Sequence, residues 1–492
     1  MGVNRGLMIL CCVSAAACAA HKAAPAAPPT LSAQPAAPRV DVDALIRHGC
    51  FRCLARALDA AEGERAFEAA ALLTIRAKEL GLPYAEYRQR AGALAPADAA
   101  FAVYLAVVDA VPIDALSGDR YLPSANPPPI RIDRDASGAP IRPPTIADRA
   151  VEWRPVLQSG PGSAIFRRYL DLVIADGCGL VPQPAGAAPP ELAAWERDVP
   201  LLRYRIGLCG RQLEQFRAFR DADREFVDAD YTLGRIALAG QPADLDEALR
   251  RVQSARDAFP ESLAIGTVLG AVHDSREEWT EALAAYDAVI AQFPPHRDAL
   301  LGRTVALSHL TRHEEAIATA TQMIDLGAWL IGEAYYWRAW NEFSLQRYPA
   351  AREDTDRAKA RMINAAVFVL SGLVEWNLLR LPTAETEFEE AMKIDFGRCD
   401  AARFLGRVRV QRNELPEAVA AFRQATQCFD LSIAVRQKLI ADVQAGPGSD
   451  ATKARVAAGH QRAIDAAVMD RADCQQRIGE LEQRGTPKPA TR

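Results

Sequence analysis

Residues 261–294 read ESLAIGTVLGAVHDSREEWTEALAAYDAVIAQFP. Two stretches with helical apolar spacing flank a polar break, Asp274-Ser275-Arg276-Glu277-Glu278. The same spacing returns along the chain. An alanine, a core position four residues on and a third core position three further recur at Ala248/Val252/Ala255, Ala282/Tyr286/Val289 and Ala316/Ala320/Met323. They continue at Ala351/Thr355/Ala358, Ala384/Phe388/Ala391 and Ala418/Phe422/Ala425. The leading alanines lie 34, 34, 35, 33 and 34 residues apart. A small residue sits 12 positions upstream of all but the first: Gly270, Thr304, Ala339, Gly372 and Gly406. Pro260 and Pro294 close two units. A fixed period of this length means one supersecondary unit stacked on copies of itself.

The pattern resembles the tetratricopeptide repeat (TPR), over residues 229–430. It departs from that family at Ala320, where an aromatic is usual, and at Gly240-Gln241-Pro242, which lengthens the first unit. The resemblance implies an all-α fold, a right-handed superhelical solenoid of TPR helix hairpins. Small residues let the two helices of a hairpin approach closely, and the bulky residue wedges toward the next hairpin. One hairpin cannot bury its own apolar face, so stacking supplies the core and a concave surface. Residues 431–444 and 451–483 read as two further helices, giving a C-terminal cap over 431–485.

In this family the first helix of each hairpin lines the concave face. The resemblance therefore implies a partner-binding groove of Tyr336, Trp340, Phe343, Trp376, Asn377, Arg403 and Arg407. Aromatic residues and arginine dominate binding hot spots. A second reading stays open, in which Trp337, Trp340 and Trp376 only fill space between repeats.

Ahead of the repeats, residues 41–220 read as an irregular helical N-terminal region. Its helices are placed at Val42–Ala60, Glu64–Leu80, Tyr84–Ala93, Pro96–Val111, Ser163–Ala175 and, with breaks, 190–220. A loop holding seven prolines falls at 122–144. Whether this region continues the superhelix or forms its own domain stays open.

The first 18 residues resemble a bacterial lipoprotein signal, with Arg5, the apolar run Leu7 to Ala17, and then Cys18 as the lipidation site. The residue three before the cysteine is Ala15, where Leu, Val or Ile is usual. Ordinary cleavage at an A-x-A site and a retained anchor are the alternatives. Of residues 19–39, 14 of 21 are Ala or Pro, so residues 19–40 read as an extended tether. An exported chain held in the cell envelope is the expected location, touching membrane only through its N-terminal lipid.

The net charge of −5 shows no basic stripe, so nucleic acid is not an expected partner. An exported chain meets oxidising conditions, which makes cysteine pairs plausible. Cys399 with Cys428 and Cys178 with Cys209 are disulfide candidates. Cys50-Phe51-Arg52-Cys53 is a C-x-x-C that lacks the following histidine of a haem site; a local disulfide or buried thiols is expected. Cys474 is left over. His48 beside that pair invites a metal, but no fourth ligand stands nearby in the sequence, and none is expected. His309 and His313 read as solvated.

Phosphate-loop, zinc-protease and nucleophile-elbow motifs are missing. Asp133 to Gly138 copies the start of a calcium loop, but Pro144 stands where its glutamate belongs. The expected function is a non-catalytic scaffold binding a protein or peptide in the groove, without a small-molecule cofactor. The alternatives are a binder of cell-wall glycan or export machinery, and a thiol-redox protein using Cys50 and Cys53.

Overall fold

The computed structural model describes residues 40–114, 116, 146–175, 192–208, 213–240, 243–327, 330–446 and 450–485. Among them the chain is all α-helical with a short 3-10 turn at Glu196–Asp198, and there is no strand. The signal and tether, Cys18, the 122–144 loop with its calcium-like stretch, Cys178 and Cys209 lie outside the described residues.

The front region comprises α1 (Val42–His48), α2 (Phe51–Ala60), α3 (Gly63–Glu79), α4 (Ala85–Leu94) and α5 (Ala99–Ala110). It continues with α6 (Ile146–Ser159), α7 (Ala164–Ala175), α8 (Pro200–Gly207) and α9 (Leu213–Ala222). Two sequence readings are corrected here. The single helix expected over Val42–Ala60 breaks at Gly49, whose φ of 75° ends α1. Helix α6 was not foreseen, because Pro155 inside it reads as a breaker.

Six hairpins follow: α10/α11 (Asp228–Ala239, Leu245–Ala258), α12/α13 (Leu263–Ser275, Trp279–Gln292) and α14/α15 (Arg297–His309, His313–Leu326). Then come α16/α17 (Ile331–Ser344, Tyr348–Lys359), α18/α19 (Ala365–Asn377, Leu381–Ile394) and α20/α21 (Cys399–Gln411, Leu415–Ala445). Side-chain caps start several of them. Asp244, Ser262 and Asn364 accept from the backbone N–H of Glu247, Ile265 and Ala366.

The turn inside each of the last five hairpins is built the same way. Glu277, Thr311, Gln346, Leu379 and Asn413 all adopt φ near 60°. The next residue's N–H then reaches back into the first helix, as from Glu278 to His273 O at 2.9 Å and from Arg380 to Glu375 O at 2.9 Å. A left-handed L-residue costs about 1–2 kcal/mol, and the closing bonds and interhelical packing offset it.

The wedge predicted from the alanine pattern is visible at Tyr286. A Cβ on Gly270 of its own hairpin, or on Gly302 of the next, would fall 2.4 and 2.2 Å from its ring. Phe388 lies on Gly372 and Phe422 on Gly406 in the same manner. At the departure noted above, Ala320 is fully buried without an aromatic.

The front region shares a core with the array. Leu80 and Leu82 pack with Tyr231, Ala264 and Ile265, and the Ser262 hydroxyl donates to Leu80 O at 2.6 Å. Buried Arg76 lies 3.2 Å from Asp228 and stacks 3.4 Å over the Tyr204 ring.

The C-terminus corrects a third reading. The helix expected at 431–444 is not separate: α21 runs unbroken for 31 residues, since no glycine or proline stands between Pro416 and Gly446. Helix α22 (Asp450–Gly485) folds back along it, burying Ile433, Ile464, Cys474 and Leu481 with Phe422 and Phe429.

Candidate functional site: the concave face of the array

Helix α22 reaches both ends of the array. Near its start, the Thr452 hydroxyl lies 3.0 Å from Asp244, Arg455 pairs with Asp246 at 2.8 Å and Arg462 with Glu277 at 3.1 Å. Farther along, Asp470 pairs with Arg403, and Asp473 with Arg407 at 2.9 Å. Burial acts to raise the Asp473 carboxyl, but hydrogen bonds from Arg477 and Arg407 outweigh it and hold it below the usual range. Hydrogen bonds from Arg455 and Arg276 hold Asp246 down too.

This changes the expected groove. Arg403 and Arg407 are engaged by the chain's own C-terminal helix. Tyr336 and Phe343 are half-buried between repeats against Ala339, Leu370 and Val374. The Trp376 indole N–H donates to Gln411 Oε1 at 2.7 Å, and its ring lies 6.2 Å from Phe404. Asn377 donates to the Leu373 carbonyl within its own helix at 2.8 Å. Of the seven, Trp340 keeps an open aromatic face, 38% exposed. In this structure the two arginines are thus paired with α22, and most of the rings pack between hairpins.

The open part of the concave face lies elsewhere. A cavity of about 480 Å³ sits among α10, α12 and α14, the first helices of the first three hairpins. Leu238, Val268, Ala271, Leu301 and Val305 form apolar walls. Two carboxylates, Asp274 and Asp298, reach it, and each has one buried oxygen with no hydrogen-bond partner. Burial pushes the Asp274 carboxyl up to about 6, against the opposing Tyr286 hydroxyl, which donates to it at 2.6 Å. Neighbouring Arg235 is already used. It donates to Asp114 at 2.8 Å, as Tyr231 does at 3.1 Å.

Asp114 belongs to the segment leaving α5, so the front region supplies one wall. Its carboxylate also caps the N–H of Leu116 at 2.9 Å. Buried His296 holds the Leu116 carbonyl 2.8 Å from Nε2. His296 Nδ1 accepts from the Ala299 N–H, so the proton is assigned to Nε2; burial keeps this ring neutral by lowering its pKa. The sequence reading passed this site by because it looked for large side chains. The signal was their opposite: Ala239, Ala271 and Gly302 at groove positions leave the space.

The two histidines each take a different partner. His309 stacks on Trp279 with ring centroids 3.9 Å apart. His313 is the first residue of α15, not a turn residue, and meets Asn341 Oδ1 at 2.8 Å. His309 is nonetheless exposed to solvent, as read, whereas His313 is half-buried. Cys399 and Cys428 are joined as a disulfide with Cα atoms 5.3 Å apart, as are Cys50 and Cys53 at 5.0 Å. Cys474 is a buried free thiol, pushed up to about 11 by that burial.

The fold is an all-α solenoid of tetratricopeptide-type hairpins, locked by a helix of its own. No protein-family model matches the chain, and no curated protein matches it. Among solved structures it is similar to MamA, at 22% identity over 32% of this chain and 94% of that one, with a TM-score of 0.30. It is also similar to YrrB, described as a TPR protein with an unusual peptide-binding site, at 18% identity over 36% of this chain and 91% of that one, TM-score 0.31. The Cut9–Hcn1 hetero-tetramer aligns over 88% of this chain and 72% of that one at 14% identity, TM-score 0.36.

Proposed function

We propose that this chain is a non-catalytic interaction scaffold of the bacterial cell envelope. In this reading it is exported, held to the membrane by a lipid on Cys18, and takes a protein or peptide partner on its concave face. The observation that carries it is the cavity among α10, α12 and α14: apolar walls ending in two carboxylates, each with a buried, unpartnered oxygen. Leaving such an atom unpaired costs about 1–3 kcal/mol, which a cationic partner group would recover. A lysine or arginine side chain fits that chemistry. Its aliphatic stem lies on Leu238, Leu301 and Val305 and its head meets Asp274 and Asp298. The envelope location draws support from the signal-like N-terminus and from the two cysteine pairs, which suit an oxidising compartment.

The test uses residues 19–492, without the lipid anchor, and fluorescent peptides that differ only in a central Lys, Arg or Gln. Basic peptides should bind, and Leu301→Arg, with an unchanged circular dichroism spectrum, should abolish that binding. Affinity should rise as pH rises through about 6, where Asp274 ionises. Equal binding of the Gln peptide, or wild-type affinity in Leu301→Arg, overturns the assignment of this cavity. Capture from solubilised envelope with the same two proteins then identifies the partner.

A further inference from the structure

The missing fourth ligand beside the C-x-x-C is supplied from far along the chain. His48, Cys50, Cys53 and Glu225 place their donor atoms within 4.8 Å of one another. His48 ends α1, and Gly49 turns the chain in the left-handed region so that Cys50 caps α2 and Cys53 falls in its first turn. A Cβ at Gly49 would stand 2.5 Å from Leu201, so this corner has no room for another residue. Glu225 comes from the turn between α9 and α10. Its N–H is fixed by the Asp223 carboxylate at 3.1 Å.

The histidine is already oriented as a ligand. Its Nε2 lies 3.0 Å from Asp223 Oδ2, and its Nδ1 lies 3.1 Å from Cys53 Sγ. The carboxylate takes the Nε2–H, which leaves the Nδ1 lone pair facing the sulfurs. A carboxylate behind a histidine is the usual outer support of a metal-bound imidazole. Phe226 stacks on the ring at 5.6 Å and keeps it there. The sulfurs lie at the amino end of α2, where the helix field favours thiolate, and Cys50 Sγ accepts the Cys53 N–H at 3.1 Å.

We propose that His48, Cys50, Cys53 and Glu225 bind a zinc-class divalent cation when the two cysteines are reduced, and that their disulfide closes the site. Two thiolates, an imidazole and a carboxylate are a donor set for tetrahedral zinc. Metal–ligand bonds of about 2.0–2.3 Å put tetrahedral ligands about 3.3–3.8 Å apart. The cluster reaches that by a swing of the exposed Glu225 side chain and by parting of the two sulfurs on reduction. The reductant is a dithiol. One of its thiolates attacks a cystine sulfur and releases the other cysteine, its second thiol then attacks the donor's own sulfur in the mixed disulfide and expels the remaining cysteine, and two electrons and two protons pass to the cysteines. The donor leaves as its own cyclic disulfide. Cation binding then releases the two thiol protons. In the disulfide neither sulfur carries the negative charge that the cation needs.

The full chain is reduced with a phosphine, which is no thiol and leaves none behind, freed of metal and titrated with cobalt(II). One equivalent should give tetrahedral visible bands and thiolate charge transfer, both displaced by zinc. Oxidation should erase them. Cys50→Ser/Cys53→Ser should abolish the charge transfer, and Cys399→Ser/Cys428→Ser should leave it intact. Glu225→Gln, at an exposed position, keeps the fold and should weaken cobalt affinity. Asp223→Asn should weaken it about 10–100-fold without removing the bands. A reduced chain with no such bands, bands that survive Cys50→Ser/Cys53→Ser, or cobalt affinity unchanged in Glu225→Gln overturns the proposal.

Discussion

The two ends of the array use equivalent helices for opposite purposes. In the first three hairpins the inner helices carry small residues and surround a cavity whose two carboxylates each keep one buried, unpartnered oxygen. In the sixth, the inner helix carries Arg403 and Arg407, and both are engaged by α22. Position on a repeat therefore does not decide whether a groove residue is available. What lies across it does, and here that is a helix appended to the repeat itself.

The largest expected effect tests whether the two ends are built alike. Tyr286→Ala removes the wedge between Gly270 and Gly302, and Phe388→Ala removes the one on Gly372. Each should cost roughly 3–5 kcal/mol in urea unfolding. A loss below about 1 kcal/mol at either would mean that its hairpin collapses freely onto the gap, and the ends would not share one packing scheme.

Next comes the C-terminal lock. Arg403→Ala/Arg407→Ala removes two partly exposed ion pairs worth about 1 kcal/mol each. Hydrogen exchange should quicken across residues 450–485 while the first three hairpins keep their protection. Uniform protection in the variant would show that α22 is held by its apolar face alone.

Acid provides a subtler probe of the same lock. The carboxyls of Asp246 and Asp473 both sit below their ordinary value of 3.8. Their contribution is complete above that value and is lost as pH falls through the depressed ones. Protection factors across 450–485, which divide out the pH dependence of intrinsic exchange, should thus hold down to the ordinary carboxylate range and fall only below it. A fall already at pH 5 would contradict the assignment.

The smallest effect lies at the open end, and its sign is reversed. Asp274 is raised from 3.8 to about 6, so stability is fullest below 3.8 and is lost as pH rises through about 6. Asp274→Asn cannot ionise, and Tyr286 can still donate to it. Its melting temperature should gain on the wild type between pH 5 and pH 8. Parallel melting curves across that range would show a solvated carboxylate.

The repeats were legible because everything that makes them lies within one hairpin of its neighbour. The alanine spacing, the glycine that receives Tyr286 or Phe388, and the capping residues are all local. The cavity was legible only in the small residues Ala239, Ala271 and Gly302; Leu116, which lines it from the front region and is held by Asp114 and His296, follows no periodicity. The pairing of Asp470 with Arg403 was not legible, since no periodicity links a charge on a trailing helix to an inner one. Glu225 was invisible for the same reason: its relation to His48 exists only after the front region has folded against the first hairpin. The front helices were mostly placed, and α6 was missed for its internal proline.

The reach of α22 also orders the chain in time. A solenoid forms by zipping neighbour onto neighbour, and its local contacts form early. Thr452 meets Asp244 across 208 residues, so that contact has to wait for the intervening hairpins. Docking of α22 therefore comes late in assembly. A chain with one misfolded hairpin would hold Asp244 and Arg403 at the wrong separation, leaving α22 undocked and open to proteases. The lock therefore doubles as a check on completed folding.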